Sequence, residues 1–336
     1  MSTVKEPGSL ERPDFARPAA RQWAIILGEY AGLVGALCLL LLVFAVCGRN
    51  FISASTFFTI ANQIPARALI VVGMTYVLVI AGIDLSVGSV LAISAVVMGS
   101  LMNGERFGWA FWPAVAMALL TGAACGLFNG FVSVAWRLPS FIVTLGMLEV
   151  ARGGAYLISN SATQYVGTRA GVIAGSGVAG LTLPVFIALA VAIVGQIVLT
   201  RSVFGRYIVA IGTNEEAVRL SGIDPRPVKI AVFALSGLLA AMAGVIETSR
   251  MEHANPNSGG GWELQAIAAA VVGGTSLLGG RGSVMRSMLG LLIIAVLDNG
   301  LANVGAEEWA KRAVTGGVII GAVIIDFYRR LSVGRG

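Results

Sequence analysis

The residues able to do chemistry in this chain are few, and most of them stand inside long apolar stretches. Asn62 and Gln63 fall in one such stretch, Asn129 in another, Thr144 and Glu149 in a third. Glu247 ends a further one, Glu263 and Gln265 open the next, and Asp298 and Asn299 close the one after it. A polar side chain at membrane depth is costly and marks a functional position by default. Amides and carboxylates near helix ends supply donors and acceptors with little fixed charge, which suits a neutral, hydroxyl-rich solute. Taken singly, each such residue reads as an interhelical hydrogen bond or a helix cap. Taken as a set, Asn62, Gln63, Asn129, Thr144, Asp298 and Asn299 are the candidates for a polar path through a membrane.

Catalytic patterns are missing. No G-x-x-x-x-G-K-[ST] occurs, and "GGTSLLGGRGS" (273–283) is glycine-rich but lacks the lysine that would meet a phosphate. No H-E-x-x-H, G-x-S-x-G or Cys–His pattern appears either, so no catalytic residue is assigned. His253 is the single histidine, which argues against a zinc or haem site, and no metal or cofactor is expected. Cys38, Cys47 and Cys125 lie in apolar runs and read as small core residues.

In "AGIDLSVGS" (81–89), Gly82 can end one helix in a left-handed turn, and Asp84 or Ser86 can cap the next. Such caps matter most at membrane depth, where no water satisfies a free helix end. A second stretch, "GTNEEAVRLSGIDPRPVK" (212–229), gathers Glu215, Glu216, Asp224, Arg219, Arg226 and Lys229 in a chain only 12% charged. Asn214 is a good N-cap, and Glu215 and Glu216 sit in the first turn, where the helix dipole favours acids. Ser221-Gly222 closes the helix, and Pro225 and Pro227 prevent its continuation. A helix of about two turns is too short to stand alone in water and needs a partner surface.

The elements that must carry these residues are membrane helices. The chain is 57% hydrophobic with a mean hydropathy of +0.85. Several runs reach the roughly 20 apolar residues that span a bilayer as helix. The expected fold is all-α, a polytopic bundle with spans near 24–47, 57–80, 86–103, 109–134, 139–158, 180–199, 228–248, 264–278, 285–303 and 312–328. A break at Pro65 and a short eighth span are expected. Residues 1–22 form a polar, proline-bearing disordered lead, 23–330 the membrane domain with the charged helix at 214–222, and 331–336 a tail. Glycine takes 44 of 336 positions, nearly double the usual share of about 7%. Gly122, Gly126 and Gly130 recur every four residues, as do Gly317 and Gly321, and build smooth faces for close helix packing.

Basic residues cluster in 1–22 (Lys5, Arg12, Arg17, Arg21), in 200–229 (Arg201, Arg206, Arg219, Arg226, Lys229) and near the end (Arg329, Arg330, Arg335). Even numbers of spans separate these clusters, so all three fall on one side, the cytoplasmic one by the positive-inside rule. Both termini are then cytoplasmic, and the net charge of +6 calls for no nucleic-acid partner. A faint echo joins 81–96 to 273–290, each placing glycine and hydroxyl residues before an apolar helix.

Five ordered pieces carry a family resemblance: "GIDLSVGS" (82–89), "NGFVSVAWRLPSFIVTLGM" (129–147), "FGRYIVAIGTNEEAVRLSGI" (204–223), "ELQAIAAAVVGGTSLLGGRGSV" (263–284) and "DNGL" (298–301). From about residue 55 to 328 the chain resembles the permease subunit of bacterial ribose/xylose-type sugar ABC importers. The resemblance implies an inner-membrane channel of two permease copies, or two related permeases, with two separate ATPase subunits below. It further implies a periplasmic solute-binding protein that delivers a small sugar from above, and no ATPase activity of the chain's own. The family's coupling helix, which inserts into a cleft of the ATPase, falls on Asn214, Glu215, Glu216, Ala217, Val218, Arg219, Leu220, Ser221 and Gly222. Val218 stands where alanine is usual, Thr213 and Arg286 where glycine is usual. The family motifs do not separate a monosaccharide from an autoinducer, nucleoside or other small solute. Outside the family, an ion-coupled carrier would use Glu149 or Asp298, and a membrane enzyme would need motifs the chain lacks.

Overall fold

The computed structural model describes residues 19–48, 50–104 and 106–333. Thirteen helices follow one another: α1 (Ala19–Cys47), α2 (Ala54–Gln63), α3 (Pro65–Val79), α4 (Val87–Met102), α5 (Phe111–Ala135), α6 (Ser140–Ser159), α7 (Leu183–Arg201), α8 (Val203–Thr213), α9 (Glu215–Leu220), α10 (Arg226–Met251), α11 (Trp262–Val272), α12 (Val284–Asn303) and α13 (Glu308–Val333). Among the described residues, six helices are long and apolar enough to cross a bilayer, within α1 and over α5, α6, α7, α10 and α12. The pair α2–α3 forms a seventh span, bent by 48° at the expected break before Pro65. Proline at the first helical position starts α3 without losing a needed N–H. Each of the ten expected segments coincides with a helix or with this bent pair. The protein is a polytopic helical membrane protein.

Some boundaries differ from expectation. Helix α1 begins at Ala19, inside the expected polar lead, whose residues 1–18 lie outside the described residues. At the other end α13 runs to Val333, and 334–336 lie outside the described residues. Helix α8 is an addition, started by Ser202, whose hydroxyl accepts the Gly205 N–H at 3.0 Å. At 11 residues, with Arg206 inside it, the helix is too short to give a spanning signal. Cys38 and Cys47 are exposed on α1, not core residues, and Cys125 is half-buried. Helix α1 packs on α12 through Phe44, which with Phe51 just beyond the helix meets Val296 and Leu297.

Helix α3 is the centre of the bundle. Every one of its residues except Arg67 is buried, with Leu69, Met74 and Leu78 fully so. Around it stand α7, α10, α11 and α12. On the far side of α10, α5 lies close along its length. A Cβ on Gly122 would come within 2.5 Å of the Gly237 carbonyl, and one on Gly126 would overlap the Phe233 carbonyl. The four-residue glycine spacing is therefore intramolecular packing of α5 on α10. Among the described residues, Gly317 and Gly321 meet nothing within 4 Å.

Helices α4 and α11 are among those too short to cross alone: α4 has 16 residues and α11 has 11, or about 24 and 16 Å at 1.5 Å per residue. An extended or irregular segment leads into each, 82–86 before α4 and 255–261 before α11. These two entries meet: a Cβ on Gly259 would lie 2.7 Å from the Gly88 carbonyl, and one on Gly88 would lie 2.6 Å from a Glu263 carboxylate oxygen. Non-helical backbone at membrane depth is tolerated where protein buries it. The segments 81–96 and 253–272 thus meet inside the bundle.

Candidate functional site

The charged stretch forms its helix as the residue types require. Asn214 Oδ1 accepts the Ala217 N–H at 3.0 Å and caps α9 at its start. Gly222 takes a left-handed φ of 82°. Its N–H reaches the Arg219 carbonyl at 3.0 Å, while that of Ile223 reaches Val218 at 3.3 Å, closing the end in a Schellman turn. One apolar side chain, Val218, fixes α9 to the core. Lys229 of α10 ties down Glu215 at 2.5 Å, and Arg219 pairs with Glu216 at 2.9 Å. The outer face is open: Leu220 is 80% exposed. Beside α9 lies a cavity of about 400 Å³, lined among others by Arg137, Glu216, Arg219, Arg226 and Lys229. The helix thus presents an exposed leucine among charged side chains and is held by one buried anchor.

At this same end α3 stops. The N–H groups of Ala81 and Gly82 close on Leu78 and Val77 at 2.9 and 2.8 Å. The left-handed residue is Ala81, with φ 62°, and not Gly82 as the sequence suggested. Gly82 is instead pressed against Phe233, where a Cβ would lie 3.2 Å from the ring. The Gly280 N–H binds the Val79 carbonyl at 2.8 Å, and Gly212 abuts the same carbonyl. Helix α9 is thereby linked to the end of the central helix.

The segment 82–86 is held by side chains from three other helices. Ser140 Oγ accepts the Ile83 N–H at 3.0 Å, and Thr144 Oγ1 accepts that of Leu85 at 3.1 Å, both from α6. Asp84 is 1% exposed. It accepts the Ser86 N–H at 3.0 Å, the Ser86 hydroxyl at 2.6 Å and the Ser236 hydroxyl of α10 at 2.8 Å. Asn129 of α5 donates to Ser86 Oγ at 2.9 Å. Ser86 occupies the N-cap of α4 but makes no side-chain cap bond. The expected cap is therefore corrected to a tertiary network, because both side chains are drawn to partners on α5 and α10. Asn129 and Thr144 are fully buried and belong to this network.

The remaining path candidates lie elsewhere. Asn62 donates to the Gly180 carbonyl at 3.0 Å and accepts from Thr182 N–H at 2.9 Å, fastening the 177–182 hairpin to α2. Gln63 is exposed beside it. Asn299 donates back to Ala295 of its own helix at 2.9 Å. Asp298 lies 3.6 Å from Arg67 and accepts from Thr315 at 3.2 Å. Two arginines within spans escaped the sequence reading. Arg67 sits over the Trp262 ring at 5.1 Å, and Arg152 of α6 donates to the carbonyls of Pro256 and Ser258 in the segment entering α11. Their positive charge inside apolar runs was the available signal. Among the described residues, no group of three or more His, Cys, Asp or Glu side chains converges to hold a metal.

A bundle of spanning helices with two broken segments meeting inside, and a capped charged helix at one end, is the framework of a membrane permease. Residues 56–323 match the family described as branched-chain amino acid transport system / permease component, and the chain belongs to that family. It is 39% identical over 296 residues to the ribose import permease protein of Escherichia coli (strain K12), covering 87% of this chain and 91% of that one. The corresponding ribose permease of Bacillus subtilis (strain 168) is 37% identical over 89% of this chain and 92% of its own. The L-arabinose ABC transporter permease protein of Azospirillum brasilense is 32% identical over 98% of both chains. No solved structure matches.

Proposed function

We propose that this permease is the membrane subunit of an ATP-driven importer for a monosaccharide. In this reading a periplasmic binding protein delivers the sugar, a second permease copy or a related permease completes the path, and two separate ATPase subunits work from the cytoplasm. The observation that carries it is α9. A two-turn helix with both ends capped, one buried anchor at Val218 and an exposed Leu220 has the form of a handle for another protein. Its attachment to the end of α3 through 279–280 and 212 gives movement of the handle a route into the bundle. Thus 214–222 acts as the coupling element, and both termini lie with it on the cytoplasmic side. Asn62, Gln63, Asp298 and Asn299 line the route, while Asn129 and Thr144 keep its wall in shape. The names of the relatives, for ribose, L-arabinose and fructose, favour a sugar over an amino acid as cargo. Asp298, paired with Arg67, is poorly suited to exchange an ion freely, which weighs against an ion-coupled carrier.

The test replaces Glu216 and Arg219 together with alanine, since both side chains are more than half exposed and fold-neutral. Uptake of radiolabelled sugar by cells carrying the whole importer should fall at least tenfold, and less ATPase should co-purify with the permease. Full uptake together with full co-purification would remove the basis for the handle.

A further inference from the structure

Arg67 is the one residue of α3 that is not buried. It lies midway along the span that runs from Ala54 to Val79. Its side chain is 30% exposed and that of its partner Asp298 24%. Trp262, at the start of α11, lies beneath the guanidinium, and Thr315 of α13 donates to Asp298. Four helices thus build one polar centre. A charged pair opening onto hydrocarbon is costly, so its open side faces water or a polar solute.

A polar track leads to this centre from the end of the bundle opposite α9. Ser55, Thr59 and Gln63 are exposed on α2, and residues four apart share one helix face. Phe57 and Ile60 lie on the other side. Ser55, Thr59, Asn62, Gln63 and Arg250, together with Phe58, line an open cavity of about 500 Å³. Arg67 follows Gln63 by four residues, across the bend.

We infer that the Arg67–Asp298 pair, seated on Trp262, is the point on the solute path that reads a neutral sugar's hydroxyl groups. The guanidinium offers only donors and the carboxylate only acceptors. Side by side they can hydrogen-bond vicinal hydroxyls while their charges cancel. The part of the indole left open beside the guanidinium supplies apolar surface for the C–H face of a sugar ring. Arg67 and Trp262 carry specificity in this assignment, which rests on the monosaccharide reading above.

The test uses cells carrying the whole importer, with Cys38, Cys47 and Cys125 replaced by alanine. A membrane-impermeant methanethiosulfonate should label Gln63→Cys and leave Leu189→Cys, on the outer side of α7, unlabelled. This readout needs no sugar. Uptake of labelled D-ribose, L-arabinose and D-fructose is measured in parallel. Asp298→Asn and Arg67→Lys should each lower maximal uptake at least tenfold, with the half-saturating sugar concentration unchanged and the ATPase still co-purifying. A purely structural pair would be rescued by the charge swap Arg67→Asp with Asp298→Arg. Here the swap should leave the ATPase co-purifying, as in the single variants, and leave uptake low. Unlabelled Gln63→Cys, near-normal uptake in Asp298→Asn, or uptake rescued by the swap would each overturn the inference. Failure of the unsubstituted importer to take up any of the three sugars would instead refute the monosaccharide reading, while the labelling result still decides whether the track is wet.

Discussion

Asp84 makes three hydrogen bonds with two residues and gives none of them to the helix it was expected to cap. One oxygen takes both Ser86 donors and the other takes Ser236, so a single side chain holds the 82–86 segment to α10. An asparagine keeps the first oxygen. Its amide then faces Ser236 Oγ, which can turn from donor to acceptor. Asp84→Asn should therefore cost no more than about 1 kcal/mol, the scale of one neutral hydrogen bond. Asp84→Leu strands the Ser86 N–H and two buried hydroxyls, at about 1–3 kcal/mol for each unsatisfied group. Thermal unfolding of the purified protein in detergent should show a small shift for the first and a large one, or no recoverable protein, for the second. Equal shifts would mean that the network is not what holds the segment. The importance of Asp84 was legible in the sequence as a carboxylate flanked by glycine and serine. Its partner Ser236 was not, because 152 residues separate them and no local spacing encodes the pairing.

Among the elements, α9 was legible almost to the residue and α4 with α11 was not. Asn214, the paired acids and Gly222 act within one or two turns, so the helix ends are written in consecutive residues. The half-helices depend on a meeting of Gly88 with Gly259, which apolar periodicity does not report. Their brevity was visible only for α11. The glycine face of α5 was legible as a smooth surface, but its partner α10 was not. That face makes a sharp prediction. A valine at Gly126 would drive its methyl groups into the backbone of Phe233 and Ala234, neither of which can turn aside. Overpacking costs about 1–3 kcal/mol when side chains can adjust, and here backbone must move. Gly126→Val should abolish recovery of folded protein in size-exclusion chromatography. Gly316→Val, where nothing lies within 4 Å among the described residues, should be recovered normally.

At the scale of the molecule, the two ends of the bundle differ in kind. The α9 end is charged and tied by backbone hydrogen bonds to the foot of α3. The other end is built from short irregular pieces: the 177–182 hairpin, the pairing of Gln164–Tyr165 with His253–Ala254, and the polar side of α2. Between them the central helix is buried except at Arg67. In the coupling role proposed for α9, a rearrangement begun there has the buried central helix to act through. This arrangement requires the two ends to lie on opposite sides of the membrane, joined by α7, whose 19 residues span about 28 Å. Val178 before α7 and Leu220 beyond it are 70% and 80% exposed, so both can report sidedness. The three native cysteines must first be replaced, because Cys38 and Cys47 are themselves exposed. In intact cells an impermeant maleimide should then label Val178→Cys and spare Leu220→Cys, which should react only after permeabilisation. Labelling of both from one side would place α7 along the membrane rather than across it, and α9 could then not be worked from the cytoplasm.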